Sequence, residues 1–351
     1  MSVSETDRWS VQLSDWSAAV DGEMGNPTAP AISVCIPTFR RPIELARLLD
    51  AVLGVVTRPA PIEIIVCDND TRRSAQPVVE AIAGATEIPV RYFNEPIQNI
   101  SLARNCLVAA ARGEWIAFID DDEVPGEDWL QALWTIAAHP GTDGAKGPVR
   151  RRLPAGAPDW LLTLPYGGSS LPAAGTPLPP RRMSGGNMMV RRSCLLRLKV
   201  EDGPFDAAFG LRGGEDILAY GQLALEGAVI RAAPDAFVEE YWGPERCHIG
   251  WMLRRAYRSG QVWSDVEARL HGRSSLWLRV PAAALRCLAT ALALPFSPAL
   301  SPVRRAALLI RVAGLLGQAS VVFDARMESY RVSKGGASAP LDGKAMPRQV
   351  A

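Results

Sequence analysis

Short β-prone runs alternate with helical segments between residues 31 and 138, and this alternation is the feature that most constrains the fold. Apolar, β-branched runs predict strands at 32–36, 62–67, 90–93 and 115–119. Apolar residues at helical spacing predict helices over 42–54, 101–111 and 127–138. Strands that alternate with helices of this length form right-handed βαβ units, so we expect an α/β fold with a mostly parallel central sheet flanked by helices.

Polar side chains follow three of these predicted strands. In chain order, the strand tips are Thr38-Phe39-Arg40-Arg41, Asp68-Asn69-Asp70 and Asp120-Asp121-Asp122-Glu123. A single tip of this kind is an ordinary turn, because Asp and Asn are common turn residues. Ligands of open parallel sheets bind at the carboxyl ends of the strands, so three polar tips at one edge predict a binding site there.

The sequence WIAFIDDDEV delivers the densest group of carboxylates. In an extended segment, Asp120 and Asp122 would face the same side and Asp121 would face away. Clustered carboxylates repel one another, and a divalent cation such as Mg²⁺ or Mn²⁺ would relieve that repulsion. A cation at this position would also neutralise the charge that develops on a departing diphosphate.

A second acidic pair, Glu215 and Asp216, follows two glycines at the predicted start of a helix that runs to about residue 226. A carboxylate in the first turn of a helix is stabilised by the helix dipole, so Asp216 is either a helix stabiliser alone or a reactive group. The Pro- and Gly-rich stretch over 150–180 predicts a long irregular loop between the two acidic motifs.

The motifs together resemble those of a known family. Their order is VCIPTFRRP, IIVCDND, NISLARN, EWIAFIDDDEVP, SGGN and GGED. This combination resembles the family 2 glycosyltransferases, which have a GT-A, Rossmann-like fold, and it is most similar to their succinoglycan-biosynthesis, ExoM-like branch. In that branch a PER sequence and a basic helix follow the catalytic domain, as Pro244-Glu245-Arg246 and residues 251–260 do in this chain.

The resemblance implies roles for individual residues at the donor side. Asp68 would read the nucleotide base, and Asp120 would lie near the ribose. The other residues implied in nucleotide-sugar binding are Pro37, Thr38, Phe39, Arg40, Asn69, Arg104, Asp121, Gly185, Gly186 and Asn187.

At the reacting groups, the resemblance implies that Asp122 holds the metal and that Asp216 is the general base, supported by Glu215. Many family members have a histidine ligand soon after this region, where this chain has Glu239-Glu240-Tyr241-Trp242. Glu240 is therefore the expected second metal ligand.

The function implied is an inverting, Mg²⁺- or Mn²⁺-dependent transfer of glucose or glucuronic acid. The donor would be a UDP-sugar and the acceptor a polyprenyl-diphosphate-linked oligosaccharide of bacterial exopolysaccharide biosynthesis. Two alternatives stay open. One is a phosphatase, since Asp120, Asp122 and Val124 match a DxDxV motif, although the later GDxxxD motif of such enzymes is absent. The other is a non-catalytic, membrane-bound scaffold that binds nucleotide sugars or polysaccharide.

The near-zero net charge of +1 is a cancellation between two halves. Residues 246–334 contain 13 Arg and one Lys against two Asp and two Glu, a net charge of +10, whereas residues 1–245 carry −10. The longest uncharged run there, 287–303, contains three prolines and suits a spanning helix poorly. We therefore expect amphipathic helices at the cytoplasmic face of the inner membrane, in a peripheral or monotopic arrangement. Nucleic-acid binding is not expected, because the basic helix adjoins an apolar tract and not a stacking surface.

The predicted organisation has four parts. Residues 1–30 form a flexible leader without a signal peptide, and 31–245 form the glycosyltransferase domain, with a nucleotide-sugar half at 31–150 and an acceptor half at 151–245. Residues 246–334 form the membrane-association region, and 335–351 form a disordered tail. The six cysteines are dispersed without a CxxC pair and are expected to be reduced thiols, mostly in the core.

Overall fold

The structure, a computed structural model, describes residues 30–55, 58–158, 160–164, 170–183, 185–198, 203–292, 301–323 and 327. The predicted tail, and all but the last residue of the predicted leader, lie outside these ranges. Parts of the predicted irregular loop and of the apolar tract, at 165–169 and 293–300, lie outside them as well.

Within the described residues, the strands fall close to the positions that the sequence predicts and are joined by several shorter ones. They are β1 (Ile32–Thr38), β2 (Ile62–Asp68), β3 (Val90–Asn94), β4 (Trp115–Phe118), β5 (Glu123–Pro125), β6 (Gly144–Lys146), β7 (Val149–Arg152), β8 (Met188–Arg191), β9 (Ile230–Ala232) and β10 (Val238–Tyr241).

The α-helices in the first half of the chain begin and end near the predicted residues. In the second half, the basic stretch 251–260 lies within a longer helix, Ile249–His271. The α-helices are α1 (Pro42–Gly54), α2 (Gln76–Ala83), α3 (Ile100–Ala110), α4 (Trp129–Ala137), α5 (Trp160–Thr163), α6 (Arg192–Arg197), α7 (Glu215–Leu225), α8 (Ile249–His271), α9 (Leu276–Ala291) and α10 (Pro302–Ser320).

The central sheet has the strand order β3-β2-β1-β4-β8-β6-β9. The first four strands are parallel, β8 runs antiparallel to both of its neighbours, and β6 is parallel to β9. The prediction of a mostly parallel α/β sheet with flanking helices is confirmed. Thr38 lies opposite Asp68, and Asp68 lies opposite Asn94, so the strand tips are aligned at one edge.

Residues of β1 alternate between two hydrophobic cores, one on each face of the sheet. Val34 and Ile36 contribute to the core that includes Leu45 of α1, whereas Cys35 belongs to the core that includes Leu107 of α3. Both faces of this strand are therefore covered by helices, which explains why it reads as a continuous apolar run. A second, smaller sheet of order β5-β10-β7, which the sequence did not predict, lies at the end of β4.

The last three helices pack on one another through small residues. An added Cβ at Gly260 of α8 would lie 2.0 Å from the carbonyl oxygen of Gly314, and one at Gly317 of α10 would lie 1.9 Å from that of Tyr257. The two backbones are therefore in close contact. Among the described residues, none of the helices combines the length and the hydropathy needed to cross a membrane. Membrane association and the division at residue 245 stay predictions.

Candidate active site

The acidic residues after β4 lie on a turn. The Glu123 N–H donates to the Asp120 carbonyl oxygen (3.1 Å), and the Asp120 N–H donates to Glu123 Oε2 (3.1 Å). The expectation of an extended segment in which Asp120 and Asp122 face one side by alternation is therefore wrong. The two reciprocal hydrogen bonds close the turn, and it directs successive carboxylates toward different partners.

Asp121 points back toward β1. Its carboxylate accepts hydrogen bonds from Thr38 Oγ1 (2.9 Å) and from Arg41 Nη1 (2.8 Å). Burial, with repulsion from Asp122, raises the pKa of Asp121 to about 6, and Arg41 opposes this shift. Thr38 and Asp121, both predicted to bind the nucleotide sugar, are thus tied to each other beneath the sheet edge.

Asp122 lies among arginines. Arg41 Nη1 is 2.9 Å and Arg246 Nη2 is 3.5 Å from Asp122 Oδ2. Glu240, on β10, contacts Arg246 through Oε1 (3.2 Å) and Arg151 through Oε2 (3.3 Å). Arg246 therefore bridges the two predicted metal ligands. Among the described residues, no group of three or more His, Cys, Asp or Glu side chains has the arrangement of a metal site.

Arg104, on α3, links the two acidic motifs. Its Nη2 is 3.1 Å from Asp120 Oδ1 and its Nε is 3.4 Å from Glu215 Oε1. The Arg104 side chain is 5% exposed and the Glu215 side chain 4%, so this second pair is buried. Burial, with repulsion from Asp216, raises the pKa of Glu215 to about 7. Burial also raises the pKa of Asp120, and the Asp122, Asp216 and Glu240 carboxylates add to that effect while Arg104 opposes it.

Three buried polar groups beside this link have hydrogen-bonding atoms without a partner among the described residues. They are Arg104 Nη1, Glu215 Oε2 and the Tyr220 hydroxyl. Leaving a buried donor or acceptor unsatisfied costs about 1–3 kcal/mol, so such atoms are uncommon outside sites that receive a ligand or water. They mark the region between Asp120 and the start of α7 as the best candidate for ligand binding.

The glycine loop before β8 lies directly on the acidic turn. A Cβ added at Gly186 would lie 2.9 Å from Glu123 Oε2 and 3.0 Å from Asp120 Cγ. The buried Lys146 ammonium donates to the Gly186 carbonyl oxygen, and burial lowers its pKa although Glu123 opposes the shift. No side chain larger than hydrogen fits at Gly186 without a shift of the carboxylates.

Asn187 supports this loop from within. Its Oδ1 accepts from Trp129 Nε1 (2.7 Å), and its Nδ2 donates to the carbonyl oxygens of Pro148 (2.9 Å) and Ala236 (2.8 Å). The side chain is fully buried, and the backbone φ is +51°. The Asn187 side chain is therefore used to hold the loop, and its predicted place near the donor sugar stays a prediction.

Asp216 lies in the first turn of α7, after Gly213 and Gly214, which both have positive φ. The Gly185 N–H donates to Asp216 Oδ2, and the Ile217 N–H donates to Oδ1 (2.8 Å). Gly185, Gly186 and Asp216 are thus brought together beside Asp120, although more than 90 residues separate Asp120 from Asp216 in the sequence.

Asp68 and Asn69 hold the second strand tip together. Asp68 is fully buried and accepts from the N–H groups of Asp70 (3.0 Å) and Ala75 (2.8 Å) and from the Tyr92 hydroxyl (3.2 Å). Asn69 donates through Nδ2 to the carbonyl oxygens of Glu95 and Ile97. Both side chains organise the loop itself, and the base-reading role of Asp68 stays a prediction.

The first strand tip leaves Phe39 and Arg40 beyond the sheet edge. Pro37 is buried in β1, Phe39 is partly exposed, and Arg40 is exposed, with its guanidinium 4.8 Å from the Phe39 ring centroid. Arg40 Nε also pairs with Asp70 Oδ1 (3.1 Å). These residues therefore lie at the carboxyl end of β1, with Phe39 and Arg40 beyond the sheet. Arg104, also predicted to bind the nucleotide sugar, pairs with Asp120 and Glu215.

Comparison with known proteins agrees with this geometry. Residues 33–198 match the family described as Glycosyl transferase family 2. The succinoglycan biosynthesis protein ExoM of Rhizobium meliloti (strain 1021) is 34% identical over 250 residues, which cover 70% of this chain and 78% of that protein. The chain belongs to glycosyltransferase family 2.

Two more distant similarities place this glycosyltransferase in context. Validoxylamine A glucosyltransferase of Streptomyces hygroscopicus subsp. limoneus is 28% identical over 117 residues, which cover 33% of this chain and 25% of that protein. The mannosyltransferase PcManGT from Pyrobaculum calidifontis, solved in complex with GDP-Man and Mn²⁺, superposes with a TM-score of 0.55 at 18% identity, over 88% of this chain and 95% of that one. At this identity the second likeness shows the GT-A fold alone. Because the chain belongs to this family, Asp120, Asp122 and Val124 are part of a glycosyltransferase motif, and the phosphatase interpretation is not supported.

No role was predicted for four basic residues of this glycosyltransferase, although Arg41 was expected at a strand tip. Arg41, Arg151 and Arg246 surround Asp122 and Glu240, and Lys146 supports Gly186. Arg246 had a signal, since it belongs to the Pro244-Glu245-Arg246 sequence that resembles the ExoM-like branch. A lysine within an otherwise apolar and glycine-rich segment was the corresponding signal for Lys146, because a buried lysine needs partners.

Proposed function

We propose that this glycosyltransferase moves a sugar, glucose or glucuronic acid, from a UDP-sugar to a polyprenyl-diphosphate-linked oligosaccharide in exopolysaccharide biosynthesis. The observation that carries the proposal is the meeting of Asp216, the Gly185 backbone and the Asp120–Arg104–Glu215 link at the carboxyl end of the sheet. The similarity to ExoM, a succinoglycan biosynthesis protein, supports the exopolysaccharide role.

Asp122 and Asp120 fit a hard divalent cation, Mg²⁺ or Mn²⁺. Both arginine contacts of Asp122 use Oδ2, and Arg104 contacts only Oδ1 of Asp120, so each carboxylate keeps an oxygen for a further ligand. Burial raises the pKa of Asp120, the carboxylates of Asp122, Asp216 and Glu240 add to the shift, and a bound cation would oppose it as Arg104 does. Glu240 has both oxygens in contact with arginines, so its expected role as a ligand requires one of these contacts to break.

The complex of PcManGT with GDP-Man and Mn²⁺ supports a nucleotide-sugar donor and a cation. A bound cation would supply charge neutralisation at the leaving diphosphate. Asp216 would accept the proton of the acceptor hydroxyl as that oxygen forms its bond to the anomeric carbon and the bond to the diphosphate breaks, which inverts the configuration. Gly185 would hold Asp216 Oδ2 in place, and Arg104 would hold Asp120 relative to Glu215.

The acceptor and the location belong to the same proposal. A net charge of +10 over residues 246–334 supports attachment to the anionic cytoplasmic face of the inner membrane, where a lipid-linked acceptor is accessible. In this arrangement the acidic domain binds the soluble donor and the basic helices keep the enzyme at the membrane.

A thermal-shift panel of nucleotides and nucleotide sugars, with and without Mn²⁺, tests the donor assignment. A ligand present at 100 times its Kd stabilises the protein by about 2.7 kcal/mol, so the ranking of shifts follows occupancy. We expect UDP-sugars to give the largest shift, and only when the cation is present. In Asp122→Asn, addition of the cation should no longer produce this shift. Larger shifts with a GDP-sugar, or equal shifts without the cation, would contradict the donor or the metal assignment.

A further inference from the structure

Helix α9 carries a stripe of large apolar side chains on its outer face. Its members are 60–82% exposed and are Trp277, Leu278, Leu285, Leu288 and Leu292. At 3.6 residues per turn, these positions fall within an arc of about 100°. Ala283 and Cys287 lie on the opposite side of the helix and pack in one cluster with Leu315 of α10. Helix α9 therefore turns its small residues to the protein and its large apolar residues outward.

The stripe lies in an exclusively basic part of the sequence. Residues 268–323 contain seven arginines and no Asp or Glu. Arg273, Arg286 and Arg304 are exposed, and Arg279 reaches back to Glu267 of α8 (2.6 Å). Soluble proteins seldom expose contiguous apolar surface of this kind unless a partner covers it.

Charge decides which partner fits. A second copy of this chain, docked through the same face, would bring two sets of arginines together, and residues 268–323 contain no Asp or Glu to offset them. An anionic bilayer offers both negative headgroups and a hydrocarbon layer, which match the arginines and the leucines. Trp277 lies at the amino-terminal end of the stripe and is of the residue type that concentrates at the headgroup level.

We propose that the outer face of α9 docks on an anionic bilayer surface, with the helix lying in the membrane plane. Helix α9 packs on α10, α10 packs on α8, and Arg246 precedes α8 and contacts Asp122. Docking would therefore fix the orientation of the active site relative to the membrane. The evidence for docking is the exposed stripe. Its role, bringing the active site to a lipid-linked acceptor, rests on the proposed function.

Flotation of the full-length protein with vesicles tests this surface. We expect binding to vesicles containing phosphatidylglycerol, weaker binding to pure phosphatidylcholine vesicles, and a loss of affinity at high salt. Leu285→Gln/Leu288→Gln should lower the affinity about 100-fold, because each leucine contributes about tenfold when its side chain leaves water. The matched control is Leu225→Gln at the end of α7, which is also 60% exposed and should bind as the parent does.

A second variant keeps the test independent of the fold of α9. Arg273→Gln/Arg304→Gln changes exposed charges only and should lower the affinity about 30-fold, at about 1 kcal/mol per arginine near an anionic leaflet. Equal binding of the parent and both variants, or no binding to either vesicle, would overturn the proposal. Conversion of a dimer to a monomer by Leu285→Gln/Leu288→Gln, with vesicle binding unchanged, would assign the stripe to a second copy and overturn it as well.

The thermal-shift panel on the same preparations keeps this inference separate from the proposed function. Nucleotide-sugar binding without vesicle binding overturns the docking surface alone. Vesicle binding that depends on the stripe, without any nucleotide-sugar binding, supports the docking surface and contradicts the donor assignment.

Discussion

The acidic sheet edge and the outer face of α9 differ in which side chains they bury. The sheet edge buries charged groups, whereas α9 exposes large apolar ones. At the sheet edge, the charged Arg104 and Glu215 are buried but face each other, and Asp121 is held by Thr38 and Arg41. Ion pairing offsets part of the cost of taking these charges out of water. On α9, large apolar side chains remain in water with no protein surface over them among the described residues. We interpret the first arrangement as a reactive site and propose the second as a contact surface.

The largest effect should come from the acid at the start of α7. Asp216→Asn should lower kcat for sugar transfer by about 10²–10⁴, the range for loss of a general base, and we expect the fold to be retained because Asn keeps one of the two oxygens that accept from the Gly185 and Ile217 N–H groups. Steady-state kinetics on the variant measure this loss. The exposed Asp235→Asn is the matched control. An Asp216→Asn enzyme as active as the control would remove Asp216 from the base role.

A methyl group at Gly186 should have the next largest effect. Gly186→Ala places a Cβ 2.9 Å from Glu123 Oε2, so the acidic turn or the glycine loop must move. A displacement of about 1 Å at a reacting group can cost about 100-fold in rate, which is the loss we expect in kcat. Gly54→Ala, where nothing lies within 4 Å of the added Cβ, is the control. Equal rates for the two variants would show that the loop does not position the reacting groups.

The burial of Glu215 predicts a pH-dependent stability. The folded pKa of Glu215, about 7, lies above the ordinary value of 4.5, so the folded chain binds the proton more tightly and the free energy of unfolding falls as the pH rises from 4.5 to 7. Glu215→Gln should therefore gain about 1–3 kcal/mol relative to the parent over that window. Denaturant melts at pH 4.5 and 8 measure the difference. Glu245→Gln, at an exposed position, should gain no stability relative to the parent over this pH range. An equal gain in both variants would contradict the raised pKa of Glu215 as the cause.

The smallest effect concerns the arginine that bridges Asp122 and Glu240. In the proposed site, Arg246 and the cation would compete for Asp122, so Arg246→Gln should lower the Mn²⁺ concentration for half-maximal stabilisation about fivefold, which corresponds to about 1 kcal/mol. A titration followed by thermal shift provides the measurement. Arg152→Gln, whose partner Glu239 belongs to an outer pair, is the control. A higher Mn²⁺ requirement in Arg246→Gln would mean that Arg246 assists the cation.

Local patterns predicted the parts of the fold that depend on neighbouring residues. The helix Pro42–Gly54 begins and ends where its apolar spacing predicts, because Pro42 starts the helix and its leucines repeat at helical intervals. The second sheet was missed because β5 and β7 have three and four residues, too few for a periodic signal. Its pairing with β10 depends on residues far apart in the sequence.

The candidate site shows the same limit. The order of the motifs predicted roles for Asp122 and Asp216, which stay predictions, and the acidic group was correctly expected at a strand end. Spacing alone could not reveal that Asp120 and Glu123 close a turn, nor that Arg246 returns to Asp122 across 124 positions. Asn187 matched a motif for sugar binding, yet its side chain holds the loop, which only the fold could show.

The most direct test of the central claim is a transfer assay with the full-length protein. It would combine a radiolabelled UDP-sugar, Mn²⁺ and a bacterial lipid extract that contains polyprenyl-diphosphate-linked oligosaccharides, and would follow the label into the lipid fraction. We expect transfer with inversion at the anomeric carbon, loss of transfer in Asp216→Asn, and normal transfer in Asp235→Asn. Tight binding of the UDP-sugar with no transfer and no hydrolysis would contradict it and would favour a non-catalytic scaffold.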